Sequence, residues 1–153
     1  MANCKFPKKA KISSKKDFRA IFNHKLFFRN DLMTLYLSPN GLGKSRFAVS
    51  ISSKIAPAAI RNRLKRLARE AFRLSQNEIL PGFDYLIIYS RMLSKRGYSD
   101  INPIRGKTSK MSDNCHRQPT SNGIKKITLN EVRQSFIELA RQGYKRFDKK
   151  HNK

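Results

Sequence analysis

The sequence predicts a single α+β domain carrying a charge that calls for a polyanionic partner. Strand patterns at 32–37, 46–52 and 83–89 interleave with helical patterns at about 14–23, 57–76 and 128–142. The 153-residue length is that of one domain. Against 10 Asp and Glu stand 34 Lys and Arg, a net charge of +24. Such a charge repels itself inside a compact fold, so something anionic is expected to offset it.

The elements follow in chain order. Ser14 with Asp17 three residues on resembles a capping box, and Phe18, Ile21 and Phe22 fall at i, i+3, i+4, which predicts a short helix. Leu32 to Leu37 is rich in strand formers and stops at the turn signal Pro39-Asn40-Gly41. From Arg46 to Ser52 large apolar residues at 47, 49 and 51 alternate with small ones at 48, 50 and 52, a strand with one buried face and room for a partner on the other. Pro57 opens a helix that no Gly or Pro interrupts until about Gln76. After Pro81-Gly82 the run Phe83 to Tyr89 reads as a buried strand. Thr128 and Glu131 form another capping-box pattern, Val132, Phe136, Leu139 and Ala140 make an apolar stripe, and Gly143 is placed to cap a helix ending near 142. Residues 92–125 are polar and aperiodic and are expected to form a flexible insertion, and the tail from about 146 to 153 is expected to be disordered.

Several functional classes are disfavoured. The most apolar short run, Tyr85 to Tyr89, is far too short to span a bilayer. The start, Met1 to Pro7, lacks the apolar core of a secretory signal, so a cytoplasmic protein is expected, without membrane attachment. Cys4 and Cys115 stand far apart and are expected to be free thiols, since two cysteines make neither a disulfide framework nor a four-ligand zinc site. His24, His116 and His151 have no partners at catalytic or ligand spacing, and the acidic residues are scattered singly beside Lys or Arg, unlike the gathered carboxylates of metal-dependent nucleases.

The densest signal lies in the central helix. On a wheel of about 100° per residue, Ile60, Leu64, Leu67, Ala71 and Leu74 share one inward arc. Arg61, Arg63, Lys65, Arg66, Arg69 and Arg73 occupy the remaining surface, with Glu70 the one acid among them. Like charges at i, i+4 cost a few tenths of a kcal/mol each. An ordinary solvated face interleaves Glu with Lys, whereas arginine in excess suits phosphate, which its planar fork holds through two parallel hydrogen bonds.

The run Arg46 to Lys54, followed by Ala59-Ile60-Arg61-Asn62-Arg63-Leu64-Lys65-Arg66-Leu67-Ala68-Arg69-Glu70-Ala71-Phe72-Arg73, resembles the signature of the bacterial ribonuclease P protein family, an Arg-Asn-Arg-x-Lys-Arg helix after a strand. Asp17-Phe18-x-x-x-Phe22, Asp84 to Tyr89 and the closing helix extend the resemblance over roughly 1–91 and 126–145. Two departures stand out: Ala56-Pro57 where many members have Gly-Asn, and Ser53-Lys54 where a Lys-Lys pair is common.

The resemblance implies a two-layer α/β sandwich of the ribosomal protein S5 domain 2-like type, with about four strands, three helices and a left-handed βαβ crossover. The general preference for right-handed crossovers points the other way. It implies a subunit of an endoribonuclease that binds the catalytic RNA and the 5′ leader of precursor tRNA, with no obligate protein partner. The RNA carries the hydrolysis with bound Mg, and the protein holds no cofactor by itself. Catalytic-RNA contacts are expected at Lys54, Arg61, Asn62, Arg63, Lys65, Arg66, Arg69 and Arg73, and leader contacts at Phe18, Phe22, Tyr36, Ser50 and Ser52. By spacing alone Phe18 and Phe22 are a core stripe; as leader contacts they would stack on unpaired bases. The alternatives are a ribosomal or other structural RNA-binding protein and a helix-turn-helix DNA-binding protein, which needs a second helix just before the basic one.

Overall fold

The computed structural model describes residues 10–91, 93 and 127–151. Apart from Leu93, the expected insertion at about 92–125 lies outside the described residues, as do Cys4, Cys115, His116 and positions 152 and 153. Helix α1 (Lys15–Asn23) is followed by strands β1 (Phe27–Arg29), β2 (Met33–Pro39) and β3 (Arg46–Ser50), helix α2 (Ala58–Leu74), strand β4 (Phe83–Tyr89) and helix α3 (Leu129–His151). The strands form one sheet in the order β1-β2-β4-β3. β2 runs antiparallel to both neighbours, while β3 and β4 are parallel and joined through α2. Among the described residues this mixed sheet, with the three helices α1 to α3, is the α+β arrangement expected. A strand and the turn after it precede α2, so the helix-turn-helix alternative fails.

One sheet face carries the main core. Met33, Leu35, Leu37, Phe47, Tyr85, Ile87 and Tyr89 are buried there beneath α2 and α3. Phe72 of α2 stacks on Phe47 at a centroid distance of 4.7 Å, and Phe136 of α3 meets Phe72 and Tyr85 edge-on. The stacking corrects the expected inward arc of α2. Ile60, Leu64, Ala68, Ala71 and Phe72 are the buried positions, whereas Leu67 is half-buried and Leu74 is exposed. A phenylalanine ring buries more apolar surface than a leucine, so the helix settles with Phe72 inward.

Helix α3 differs most from expectation. Its start is as read: the Thr128 amide donates to Glu131 (2.9 Å) and the Glu131 amide to Thr128 Oγ1 (3.3 Å), a reciprocal capping box. Its end lies at His151 and not near 142, so most of the expected disordered tail is helical. The apolar stripe continues through Tyr144 and Phe147, both packed against Phe83. Gly143 is therefore no cap. It lies where α3 crosses β2, and a Cβ there would come within 2.9 Å of Leu37 Cδ1. Tyr144 also ties α3 to the α2–β4 turn. The Leu80 amide donates to Tyr144 Oη (3.0 Å), Tyr144 donates to Tyr85 Oη, and Tyr85 donates to the Leu80 carbonyl (2.8 Å). Burial pushes both phenols above the usual tyrosine range, so they stay neutral donors at physiological pH.

Strand β1 makes up the four strands that the resemblance implies, but no sequence pattern locates it. Its three residues are too few to show alternation, and it exists by pairing with β2. Asn30 makes the turn between them, its Oδ1 accepting from the Leu32 (3.0 Å) and Met33 (2.9 Å) amides. Strand β3 ends at Ser50, two residues short of the expected 52.

Candidate nucleic-acid interface

Because cross-strand partners share a face, the registers set out three rows on the side of the sheet opposite the main core. Ser38, Asp84 and Arg46 make one row; Phe27, Tyr36, Leu86 and Ala48 the next; Arg29, Thr34, Ile88 and Ser50 the third. Helix α1 covers only part of this face. Its Ile21 is fully buried in a small second core with Ile12, Ala48 and Leu86, against which Phe18, Tyr36 and Ile88 pack. The third row stays half-buried or exposed.

Arg46 fixes α1 on this face. Its Nε and Nη2 donate to the two oxygens of Asp84 at 2.8 and 2.6 Å, and Nη1 reaches Asp17 Oδ2 at 3.2 Å. The Asp84 hydrogen bond is the main reason the guanidinium pKa is raised, with the charges of Asp84 and Asp17 adding to it against desolvation. Asp17 thus serves a tertiary ion pair, and Ser14 caps α1 by accepting from the Lys16 amide at 3.2 Å.

The expected leader residues come together in part. Phe18, Phe22, Tyr36 and Ser50 lie on the open face. Phe22 is 43 % exposed and meets Tyr36 edge-on at 5.0 Å, while Phe18 is the more deeply packed. Ser52 lies beyond the end of β3, in the turn, where its Oγ accepts from the Lys54 amide at 3.3 Å. Sequence reasoning missed Phe27, which is 49 % exposed and lies 5.4 Å from Tyr36. The signal available was Phe27-Phe28, one residue short of the turn-forming Asn30-Asp31.

Apart from Arg61, the expected RNA contacts on α2 divide into two groups. Asn62, Arg66 and Arg73 face solvent, with Arg63 half-buried beside them and Arg73 paired to Glu70, whose pKa that hydrogen bond lowers. Lys65 and Arg69 instead turn toward the β3 edge. They line a recess of about 230 Å³ with Lys11, Phe18 and Ala48, and its lining contains no carboxylate. Arg61 is half-buried in the first turn, and Lys54 is exposed in the turn before the helix. Lys11, unrecognised in sequence, is brought there by a parallel bridge to Phe47.

The described carboxylates do not gather into a magnesium site. Among the described residues no three of His, Cys, Asp and Glu come together, and the two nearest the open face, Asp17 and Asp84, are both engaged by Arg46.

A family model described as Ribonuclease P matches residues 6–106. The chain belongs to the ribonuclease P protein family. It is 36% identical over 95 residues to the ribonuclease P protein component of Clostridium botulinum, covering 61% of this chain and 86% of that one. To the component from Clostridioides difficile it is 40% identical over 80 residues, covering 52% and 69%. The solved RNase P protein from Thermotoga maritima superposes with a TM-score of 0.63 at 23% identity over 86% of this chain and 96% of that one, a likeness of fold. Family membership makes the chain a protein subunit of an endoribonuclease complex, with the ribonuclease P RNA as its partner. No helix among the described residues is long and apolar enough to cross a membrane.

Proposed function

We propose that the chain uses its two surfaces for two RNAs: the outer side of α2 docks on the catalytic RNA, and the open sheet face holds the single-stranded 5′ leader of precursor tRNA. The observation that carries this reading is the exposed ring of Phe22 set edge-on against the half-buried Tyr36, on a sheet face that α1 leaves partly uncovered. Unpaired bases stack on aromatic faces for about 1–3 kcal/mol each, and every base has such a face, so the surface accepts leaders of varied sequence. A duplex cannot offer its bases in this way. The α2 surface works through different physics, since arginines without enough acids to pair them neutralise phosphates and displace counterions.

In this reading the phosphodiester chemistry and its magnesium reside with the RNA in the cytoplasm. The protein raises the affinity for precursor over mature tRNA and keeps the leader in line with the cleavage site. Magnesium held by the RNA would supply water activation and charge stabilisation, while the protein supplies stacking, phosphate neutralisation and orientation. The test is cleavage of a precursor tRNA by the cognate RNA at low magnesium, with and without this chain. Cleavage that depends on the protein, with affinity that depends on the leader, is expected. Equal rates with and without the protein would remove the proposal.

A further inference from the structure

The open face carries a second aromatic surface that the expected leader contacts leave out. Phe27 opens the edge strand β1, sits directly across from Tyr36 in the register, and has its ring tilted 33° from the tyrosine at 5.4 Å. At 49 % exposure it is more open than Phe22, a large outlay of apolar surface for a residue with no core role. Arg29, two residues on, points to the same face by strand alternation. It is exposed and forms no ion pair among the described residues. The backbone turn before β1 is specialised too, because Lys25 adopts a left-handed φ of 55°. That turn takes the chain from the end of α1, where Phe22 lies, to the start of β1, so Phe22 and Phe27 both pack against Tyr36.

We infer that Phe27 and Arg29 form an additional nucleotide subsite at the β1 edge, with Phe27 stacking one unpaired base and Arg29 holding an adjoining phosphate. Residues i and i+2 of a strand are about 6.6 Å apart, a span that suits the base and backbone of one extended nucleotide. The subsite continues the aromatic surface of Phe22 and Tyr36 outward to the edge of the sheet, so its occupant is the same single strand. The inference rests on the leader reading proposed above. The strong positive charge of the chain favours RNA as that occupant over a second copy of this protein, which the same charge repels.

The experiment uses the holoenzyme and precursor tRNAs in which one leader nucleotide at a time is made abasic. With the parent protein, each stacking position should appear as a loss of affinity of about five-fold or more. Phe27→Leu should abolish the sensitivity at one position and leave the others intact, and Phe27→Tyr, which keeps a ring, should match the parent. Arg29→Gln should make the slope of log affinity against log salt shallower by about 0.7, the value for one phosphate contact on a single strand. Affinity for mature tRNA should be unchanged in all three variants. If Phe22→Leu and Tyr36→Leu each silence a position while Phe27→Leu retains the full parental pattern, the subsite is refuted and the leader reading stands. If no abasic position weakens binding to any of these proteins, the leader reading fails and the subsite falls with it.

Discussion

Replacing Arg46 with Met should destabilise the protein by about 3.5 kcal/mol, because it strands a carboxylate inside the fold and loses a second pair. The Asp84 side chain is only 6% exposed, and beyond Arg46 it keeps one side-chain partner, Asn40 Nδ2 at 2.7 Å. Breaking a buried pair from one side costs about 3–5 kcal/mol. The 20% exposure of Arg46 and the surviving Asn40 bond place this case at the low end. The second pair, to the more exposed Asp17, adds about 0.5 kcal/mol. Asp84→Asn alone should cost about 2 kcal/mol, as one charged hydrogen-bond partner is lost. The double variant Arg46→Met, Asp84→Asn removes both charges, so its cost should fall short of the sum by about 2 kcal/mol. Urea unfolding followed by circular dichroism, at a fixed sulfate concentration that screens the +24 charge, measures all three. Arg46→Lys keeps the charge without the two-pronged geometry and should fall between parent and Met. A cost below about 1 kcal/mol for Arg46→Met, or strict additivity of the two single changes, would show that the pair does not hold the open face together.

Arg63→Ala with Arg66→Ala should weaken binding to the catalytic RNA and flatten the salt dependence by about 0.7–0.9 per lost contact, with precursor and mature tRNA affected alike in a salt titration of the holoenzyme. Phe18→Leu with Phe22→Leu should leave assembly intact and lower the preference for precursor tRNA, and equal losses for both tRNAs would return these rings to the core. Gly143→Ala should destabilise by about 1 kcal/mol: the better helix propensity gains up to about 1, but overlap with the fully buried Leu37 costs about 1–3, and a stabilised variant in urea would contradict that packing. Lys25→Gly should raise stability by at most about 1 kcal/mol in the same assay, since glycine accepts the left-handed backbone but loses more entropy on folding; a loss of more than about 1 kcal/mol would mean that the lysine side chain matters there.

What was legible in the sequence was whatever has a period or a cap. The α2 charge pattern, the Thr128–Glu131 box and the β4 run all stand where local rules put them. What was hidden depended on contacts between distant segments. Gly143 obeys the rule for a helix terminus, yet its small size serves the approach of Leu37 from another element. Asp17 has capping-box spacing from Ser14, yet Arg46, far along the chain, draws its carboxylate away. A wheel of α2 turns one side too far because leucines at 67 and 74 count equally with Phe72 by hydrophobicity, whereas only Phe72 finds a ring to stack on. Of the aromatic residues gathered at the open face, Phe22 and Tyr36 were reachable from pattern and resemblance. Phe27 lies in a three-residue strand with no periodic signal, and the Phe27-Phe28 pair shortly before Asn30 is the one local hint of it.

The open face also explains why so much charge is tolerated. Helix α1 has nine residues and is about 13 Å long, against a sheet of four strands whose seven-residue members extend about 23 Å. A rod of that length covers one band and leaves aromatic surface at the β1 side in water. An exposed aromatic patch beside a free strand edge invites self-association. Two features counter it: the edge strand has only three residues, and the +24 charge keeps copies of the chain apart. The same charge destabilises the isolated fold by self-repulsion, and binding RNA relieves that repulsion. Surface chemistry and net charge are therefore one arrangement. In the proposed reading the rings take a single strand to cover them, the cations take phosphates to neutralise them, and an unpaired RNA leader would supply both at once.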